Sequence, residues 1–373
     1  MARETAIVVG GGVMGLAAGC SLAGRGVAVT LLERHEVGHD WAASHGLTRA
    51  IRQEYGAAAL YTDMVARSLP LWDELARETA RHLYTETGVL SLGRAEDGHT
   101  LPGFEVMRAA GLPIERLSAE ECAARFPQFR PEDYDAITYN PTGGMLHASE
   151  CVQALAARLR ARGGTIREGI QVRRVETAGD GGRVVLADGS ALHAERVIVA
   201  AGAWVADVLP EVALPIRVTR QQVSYLEGLA PERFAVGAFP VFLASMEYYG
   251  FPLQGAGWFK VGSHVFGDTV DPNAGYPPDM HEEEAVRGFL RRVIPGAAEG
   301  RLALVDRCMY DVTPDEDFIL DHHPGGEGVV IASGFSGHGF KFGILIGELL
   351  AALALHETPP VPLERFRLAR FAS

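Results

Sequence analysis

The sequence predicts an α/β chain in which a Rossmann-like dinucleotide-binding domain is interleaved with a second domain built on an antiparallel sheet with helices. Three observations carry this expectation: an apolar strand running into a glycine-rich turn at residues 6–15, alternating hydrophobicity in a glycine-, proline- and aromatic-rich stretch from Val218 to Tyr310, and a return to the opening style at 329–341. The expected division gives residues 1–83, 144–216 and 316–373 to the first domain and 84–143 and 217–315 to the second. With 373 residues and 47% hydrophobic side chains, the chain is large enough for two cores.

In the first domain, Ala6–Val9 is a short apolar strand, Gly10-Gly11-Gly12-Val13-Met14-Gly15 a turn, and Leu16–Ala23 a small-residue helix. Gly10 permits the tight turn, Gly12 lets backbone approach a pyrophosphate, and Gly15 lets the helix pack close to the sheet. A second strand, Val27–Leu32, ends at Glu33, whose carboxylate suits an adenosine ribose and disfavours a 2′-phosphate. The pattern leaves NAD and FAD both open. Helical periodicity follows over Met64–Arg81 and Cys151–Arg162, and Arg196–Trp204 reads as a buried parallel strand ending in a small-residue turn. Val329–Ala332 leads into Ser333-Gly334-Phe335-Ser336-Gly337-His338-Gly339-Phe340-Lys341 and a buried helix.

In the second domain, Gln222–Leu226, Tyr248–Phe251 and Trp258–Phe266 alternate as antiparallel strands. Period two places Trp258, Lys260, Gly262 and His264 on one face, with Lys260 and His264 roughly 13 Å apart, able to flank one flat ligand.

Composition excludes several classes. A net charge of −13 repels a phosphate backbone, so no nucleic-acid partner is expected. Four cysteines, at 20, 122, 151 and 308, form neither a zinc pattern nor a disulfide framework; no metal is expected, and a reducing, cytoplasmic setting fits. The opening apolar run is too brief for a secretory signal, and Phe342–Leu355 too short for a membrane span, so no membrane partner is expected. No metalloprotease helix motif, nucleophile elbow with a triad, or Walker lysine is present. Asp315 and Glu316 read as loop residues rather than an acid–base pair. Only two lysines, Lys260 and Lys341, stand among 34 basic residues. Arginine bias explains the general replacement, but a compact ammonium with a movable pKa is something a guanidinium cannot supply. Arg49 and Arg52, near Ser44 and Thr48, offer bidentate partners for a carboxylate.

Taken together, the glycine turn, Ser44-His45-Gly46-x-Thr48-Arg49-x-x-Arg52, Tyr248-Tyr249-Gly250-Phe251-Pro252, Lys260-x-Gly262-x-His264, Cys308-x-Tyr310-x-x-x-Pro314-Asp315-Glu316-x-Phe318 and the 334–341 segment resemble the monomeric sarcosine oxidases and N-methyltryptophan oxidases, over residues 5 to about 370. The resemblance implies FAD joined through its 8α carbon to Cys308. It implies cofactor contacts from Gly10, Gly12, Val13, Met14, Gly15, Glu33, Arg34, Ser44, Thr48, Arg49, Val172, Gly202, Trp204, Met309, Gly337, His338, Gly339 and Lys341. Lys260 would promote the reaction with oxygen, Arg49 would lie against the flavin ring, Arg52 and Lys341 would clamp the substrate carboxylate, and Tyr249 and His264 would line the pocket near the amine.

The implied reaction oxidises the neutral amine of an N-methyl or other secondary amino acid to an imine, which water hydrolyses to an aldehyde and the demethylated amino acid, with hydrogen peroxide formed from oxygen. Small-molecule amino-acid substrate, oxygen and a monomeric state are the implied partners. The alternatives are a dehydrogenase of the same fold with another electron acceptor, and a nicotinamide-dependent enzyme or turnover-free flavin module. Two departures stand out: Leu47 replaces the usual aspartate, and Ala244-Ser245-Met246-Glu247 replaces the usual asparagine-glycine turn. Both bear on the pocket, and weigh larger N-alkyl or cyclic amino acids against sarcosine.

Overall fold

The computed structural model describes residues 3–372; residues 1, 2 and 373, at the ends of the expected first domain, lie outside it. Strand Thr5–Val9, helix Val13–Gly24 and strand Ala28–Leu32 form the expected opening unit. They sit in a six-stranded sheet ordered Ile319–His323, Gly326–Ser333, Arg196–Val199, Thr5–Val9, Ala28–Leu32, Thr165–Arg167. All neighbours are parallel except the first pair. Buried on both faces, these strands are runs of Val, Ile and Leu rather than alternating sequences.

Helices Val13–Gly24 and Gly343–Ala354 cover one face. They cross closely because the crossing is glycine and alanine: a Cβ on Gly347 would fall 2.5 Å from the Ala17 carbonyl carbon, and one on Gly343 would fall 2.7 Å from Val13. The expected buried helix is therefore present at Gly343–Ala354, and no helix among the described residues is long and apolar enough to cross a membrane.

The second unit is an eight-stranded sheet ordered Arg301–Val312, Arg217–Glu227, Trp258–Ser263, Tyr248–Gln254, Val241–Ala244, Val89–Gly93, Ala136–Asn140, Glu115–Leu117. It is antiparallel apart from one parallel pair, Val241–Ala244 with Val89–Gly93. Helix Met280–Val293 packs on its outer face through Val286, Phe289, Leu290 and Val293. Asp279 caps that helix, accepting from the His281 and Glu282 amides at 2.8 and 3.4 Å. A smaller sheet of Thr48–Ile51, Gly144–His147 and Tyr84–Glu86 pairs segments expected in different domains.

One strand is shorter than its pattern predicts. The alternation at Trp258–Phe266 reads as continuous, but the strand stops at Ser263. The Gln221 side chain takes the Val265 carbonyl at 3.2 Å and the Gly267 amide at 3.1 Å, which turns the chain away from the ladder. His264 keeps one tie, its amide donating to the Glu247 carbonyl at 2.6 Å.

Candidate active site

Two cavities meet between the sheets. The first is a long groove over the carboxyl ends of the parallel strands, where open α/β sheets bind ligands. Its floor requires glycine. A Cβ on Gly10, whose φ is +109°, would lie 2.3 Å from the Ala200 carbonyl oxygen, and one on Gly15 would lie 2.0 Å from the Gly10 oxygen. At Gly12 the nearest atom to such a Cβ is Ser44 Oγ at 3.2 Å, so backbone stays open to a ligand there. Ser44 Oγ accepts from the Val13 amide at 3.0 Å, fixing the helix start beneath it.

At the far end of the groove, Glu33 accepts from the Gly11 amide at 2.6 Å and the His35 amide at 2.8 Å. These bonds and His39, 3.5 Å away, outweigh burial and hold its carboxyl below the usual range. Each oxygen keeps acceptor capacity for a ribose. Asn273 closes the groove from the second unit: its Oδ1 accepts from Arg34 and from Trp204 Nε1, and its Nδ2 donates to Asp207. A dinucleotide fits this combination of glycine floor, helix start and anchored carboxylate.

Gly10, Gly12, Val13, Met14, Glu33, Arg34, Ser44, Arg49, Val172, Gly202, Trp204, Met309, Gly337 and Gly339 all border the groove. Cys308, His338 and Lys341 border the second cavity instead. Gly15 and Thr48 border neither; Gly15 acts through packing, and Thr48 lends its carbonyl to Lys260.

The second cavity is a chamber that shares Arg49, Tyr310, Gly337 and Phe340 with the groove and also takes in Arg52, Tyr249, Lys260, His264, Cys308 and Lys341. Lys260, 2% exposed, donates to the Thr48 carbonyl at 2.8 Å, with its Nζ 5.0 Å from the centre of the Phe251 ring. Burial first, then Arg49, push its ammonium well below the ordinary lysine value, with Asp306 and Cys308 opposing. Lys341 donates to Tyr55 Oη at 2.7 Å and the His338 carbonyl at 2.8 Å. Burial and then Arg52 lower it too. Arg52 lies 4.7 Å from the Tyr55 ring centre, and among the described residues its side chain has one hydrogen-bond partner, the Met246 sulfur at 3.9 Å. Among the described residues, neither Arg52 nor Lys341 forms an ion pair, an expensive state for buried cations that an arriving carboxylate offsets.

The neutral groups are held neutral. Burial, then Arg52 and Lys341, bring His264 down to about 4, and burial pushes Tyr249 up to about 12. Cys308 is half-buried on the strand Arg301–Val312; burial raises its thiol while Arg49 opposes. Asp306, two residues earlier on that strand, pairs with His45 at 3.6 Å at the chamber wall.

Of the residues that shape the turns around the site, Asp311 escaped the sequence reading. Asp311, 6% exposed, holds the Gly334 amide at 2.7 Å and Ser333 Oγ at 3.2 Å, pinning the 334–341 turn under the strand that bears Cys308. That turn needs Gly337, φ +77°, since a Cβ there would lie 2.2 Å from Tyr310. Ser245 and Met246 form a two-residue turn with φ of 47° and 56°, closed by the Glu247 amide on the Ala244 carbonyl at 2.9 Å. This turn normally takes Asn-Gly, and each ordinary residue in it costs about 1–2 kcal/mol. The Asp315–Glu316 turn lies outside the chamber, with Asp315 paired to Arg370 at 2.8 Å, as a loop reading expects.

The DAO family profile, FAD dependent oxidoreductase, matches residues 5–353. Monomeric sarcosine oxidase of Bacillus sp. (strain B-0618) is 37% identical over 362 residues, covering 94% of this chain and 91% of that protein. N-methyl-L-tryptophan oxidase of Yersinia pestis (strain Pestoides F) is 35% identical over 377 residues, covering 98% of each. Among solved structures, NikD, an unusual amino acid oxidase essential for nikkomycin biosynthesis, superposes with a TM-score of 0.83 at 26% identity over 98% of both chains. L-proline dehydrogenase from P. horikoshii superposes at 0.86 with 22% identity, covering 99% of this chain and 98% of that one, a likeness of fold alone.

Proposed function

The chain belongs to the family of FAD-dependent oxidoreductases, and on that premise we propose that it oxidises N-methyl or other secondary amino acids with oxygen as acceptor, holding FAD through a thioether at Cys308. The observation that carries the substrate reading is a pair of buried basic side chains that form no ion pair among the described residues, Arg52 and Lys341, in a chamber that opens on the dinucleotide groove. A carboxylate bridging them takes the place of the missing anion and favours the protonated form of Lys341 Nζ.

Bound FAD supplies the two-electron acceptor. The chain's part is positional and electrostatic. With the carboxylate on Arg52 and Lys341, the substrate's amino group lies among Tyr249, His264 and Tyr310, all uncharged at neutral pH. None of these three carries a negative charge, Asp306 stands at the wall against His45, and Arg49 and Arg52 disfavour an ammonium, so the nitrogen binds with its lone pair free. Lys260 Nζ, tied by one bond to Thr48, keeps further hydrogens for oxygen and stabilises negative charge as it develops there.

The test is anaerobic mixing of the purified holoenzyme with sarcosine, N-methylalanine, pipecolate and proline, followed by oxygen uptake. Flavin bleaching with subsequent peroxide release is expected. Bleaching without oxygen consumption would make the chain a dehydrogenase, and yellow colour lost entirely to the supernatant on acid precipitation would remove the Cys308 tether.

A further inference from the structure

Behind the substrate chamber lies a smaller cavity that shares Arg52, Leu243 and Met246 with it. It has room for about one water-sized group. Its lining is polar and unusually incomplete: Glu54 Oε1, Thr138 Oγ1 and His99 Nε2 all lack a hydrogen-bond partner. Glu54 is 3% exposed and Thr138 fully buried. Buried polar atoms are normally satisfied, so three orphans around one space point to a missing partner rather than to packing. The Glu54 carboxylate is not adrift, because its Oε2 accepts from Asn140 Nδ2 at 3.2 Å, leaving Oε1 for the cavity.

These atoms are acceptors in their resting states. Burial, then Arg52, push His99 down to about 4, so its ring is neutral at pH 7 and Nε2 can offer a lone pair. The threonine hydroxyl accepts as readily as it donates. An ammonium is the size of a water and carries three donors; a primary amide carries two. Glu54 is the cavity's one acidic side chain: burial raises its carboxyl and Arg52 opposes, so a donor arriving at Oε1 favours the ionised form. Met246, an unbranched thioether with three rotatable bonds, lines both cavities together with Arg52 and Leu243, on a turn whose backbone is pinned by the Ser245 amide to the Leu92 carbonyl.

We propose that this rear cavity recognises the far end of the substrate's side chain, selecting a small hydrogen-bond donor, ammonium or primary amide, that reaches Glu54, His99 and Thr138 when Met246 swings off Arg52. The proposal rests on the reading of the front chamber as an amino-acid site.

The test measures anaerobic flavin reduction in the holoenzyme by Nα-methylated alanine, norleucine, glutamine, ornithine and lysine, each as both enantiomers. Donor-tailed substrates are expected to exceed norleucine by about tenfold or more in the second-order rate constant, as sites built to hydrogen-bond reject analogues that cannot. Glu54→Gln should erase the advantage of the ammonium tails over norleucine, while Thr138→Val should weaken both tail classes relative to norleucine. An advantage for glutamine alone would identify the amide as the ligand. Norleucine matching the donor tails, or Glu54→Gln slowing every substrate equally, would refute the rear pocket and leave the front chamber standing. If N-methylalanine and the others all fail to reduce the flavin, the front-chamber reading has failed and the proposal falls with it.

Discussion

The dinucleotide groove and the substrate chamber share a wall, yet they are built by opposite means. The groove is a backbone object: Gly10, Gly12 and Gly15 shape it by what they lack, and its polar groups, Glu33 and Ser44, are satisfied by nearby amides. The chamber is a side-chain object, with charges from four separate segments, and among the described residues it leaves Arg52 and Lys341 outside any ion pair. A region that binds by shape holds its stability in the free protein; one that binds by charge stores a deficit that the ligand relieves.

The contrast gives each region a different response to substitution. Gly15→Val should abolish flavin incorporation, because its Cβ meets backbone at 2.0 Å with nothing free to move, and the visible absorbance of the purified protein is expected below about a tenth of normal. Lys260→Met should slow reoxidation by about 10²–10³-fold and leave anaerobic reduction within a few-fold. Equal slowing of both halves in stopped-flow measurements would break the assignment of Lys260 to oxygen.

Arg52→Met sharpens the comparison most directly, since its two effects have opposite signs. Substrate affinity is expected to drop by about 10²-fold, while the ligand-free protein gains thermal stability on losing an unpaired buried charge. A fall in both, seen by calorimetry, would mean that the Glu54 carboxylate balances Arg52 in the ligand-free protein.

The pH responses are smaller. Lys260 must carry its proton to assist oxygen, and its pKa is lowered, so reoxidation should decline as pH rises well before the ordinary lysine range. His264 and His99 are lowered to about 4 from 6.5; the unfolded chain therefore binds their protons first, and stability is lost as pH falls from about 6.5 towards 4. Melting temperature across that window measures it. The smallest effect belongs to Ser245→Asn, which suits the left-handed turn better and should raise stability by roughly 0.5–1 kcal/mol.

The same contrast explains what could be read from the chain in advance. The groove was legible because its parts are neighbours: strand, glycines, helix and Glu33 lie within one stretch whose spacing has a mechanical meaning. Lys260 and Lys341 were visible through scarcity. Asp306 was not, because only pairing with the strand Arg217–Glu227, opposite Val223, brings it to the chamber. Asn273 lies in an ordinary Asp-Pro-Asn turn and reaches the groove from the other unit. Glu54 gave no signal, because the run Ile51–Tyr55 is mostly polar in sequence and its burial appears only in the fold. Thr48 shows the converse: its position fits the motif, but its contribution is a carbonyl, which no side-chain pattern encodes.

The order in which strands enter the six-stranded sheet also governs how the protein is born. Thr5–Val9 leaves the ribosome first, but its inner neighbour Arg196–Val199 comes much later, and that strand must in turn await Gly326–Ser333. At roughly 5–20 residues per second, the nascent chain spends many seconds with an apolar edge uncovered. The segment bearing Gly337 and Lys341 emerges later still, so the groove and the chamber that it lines are completed only after the strands of both units have been made.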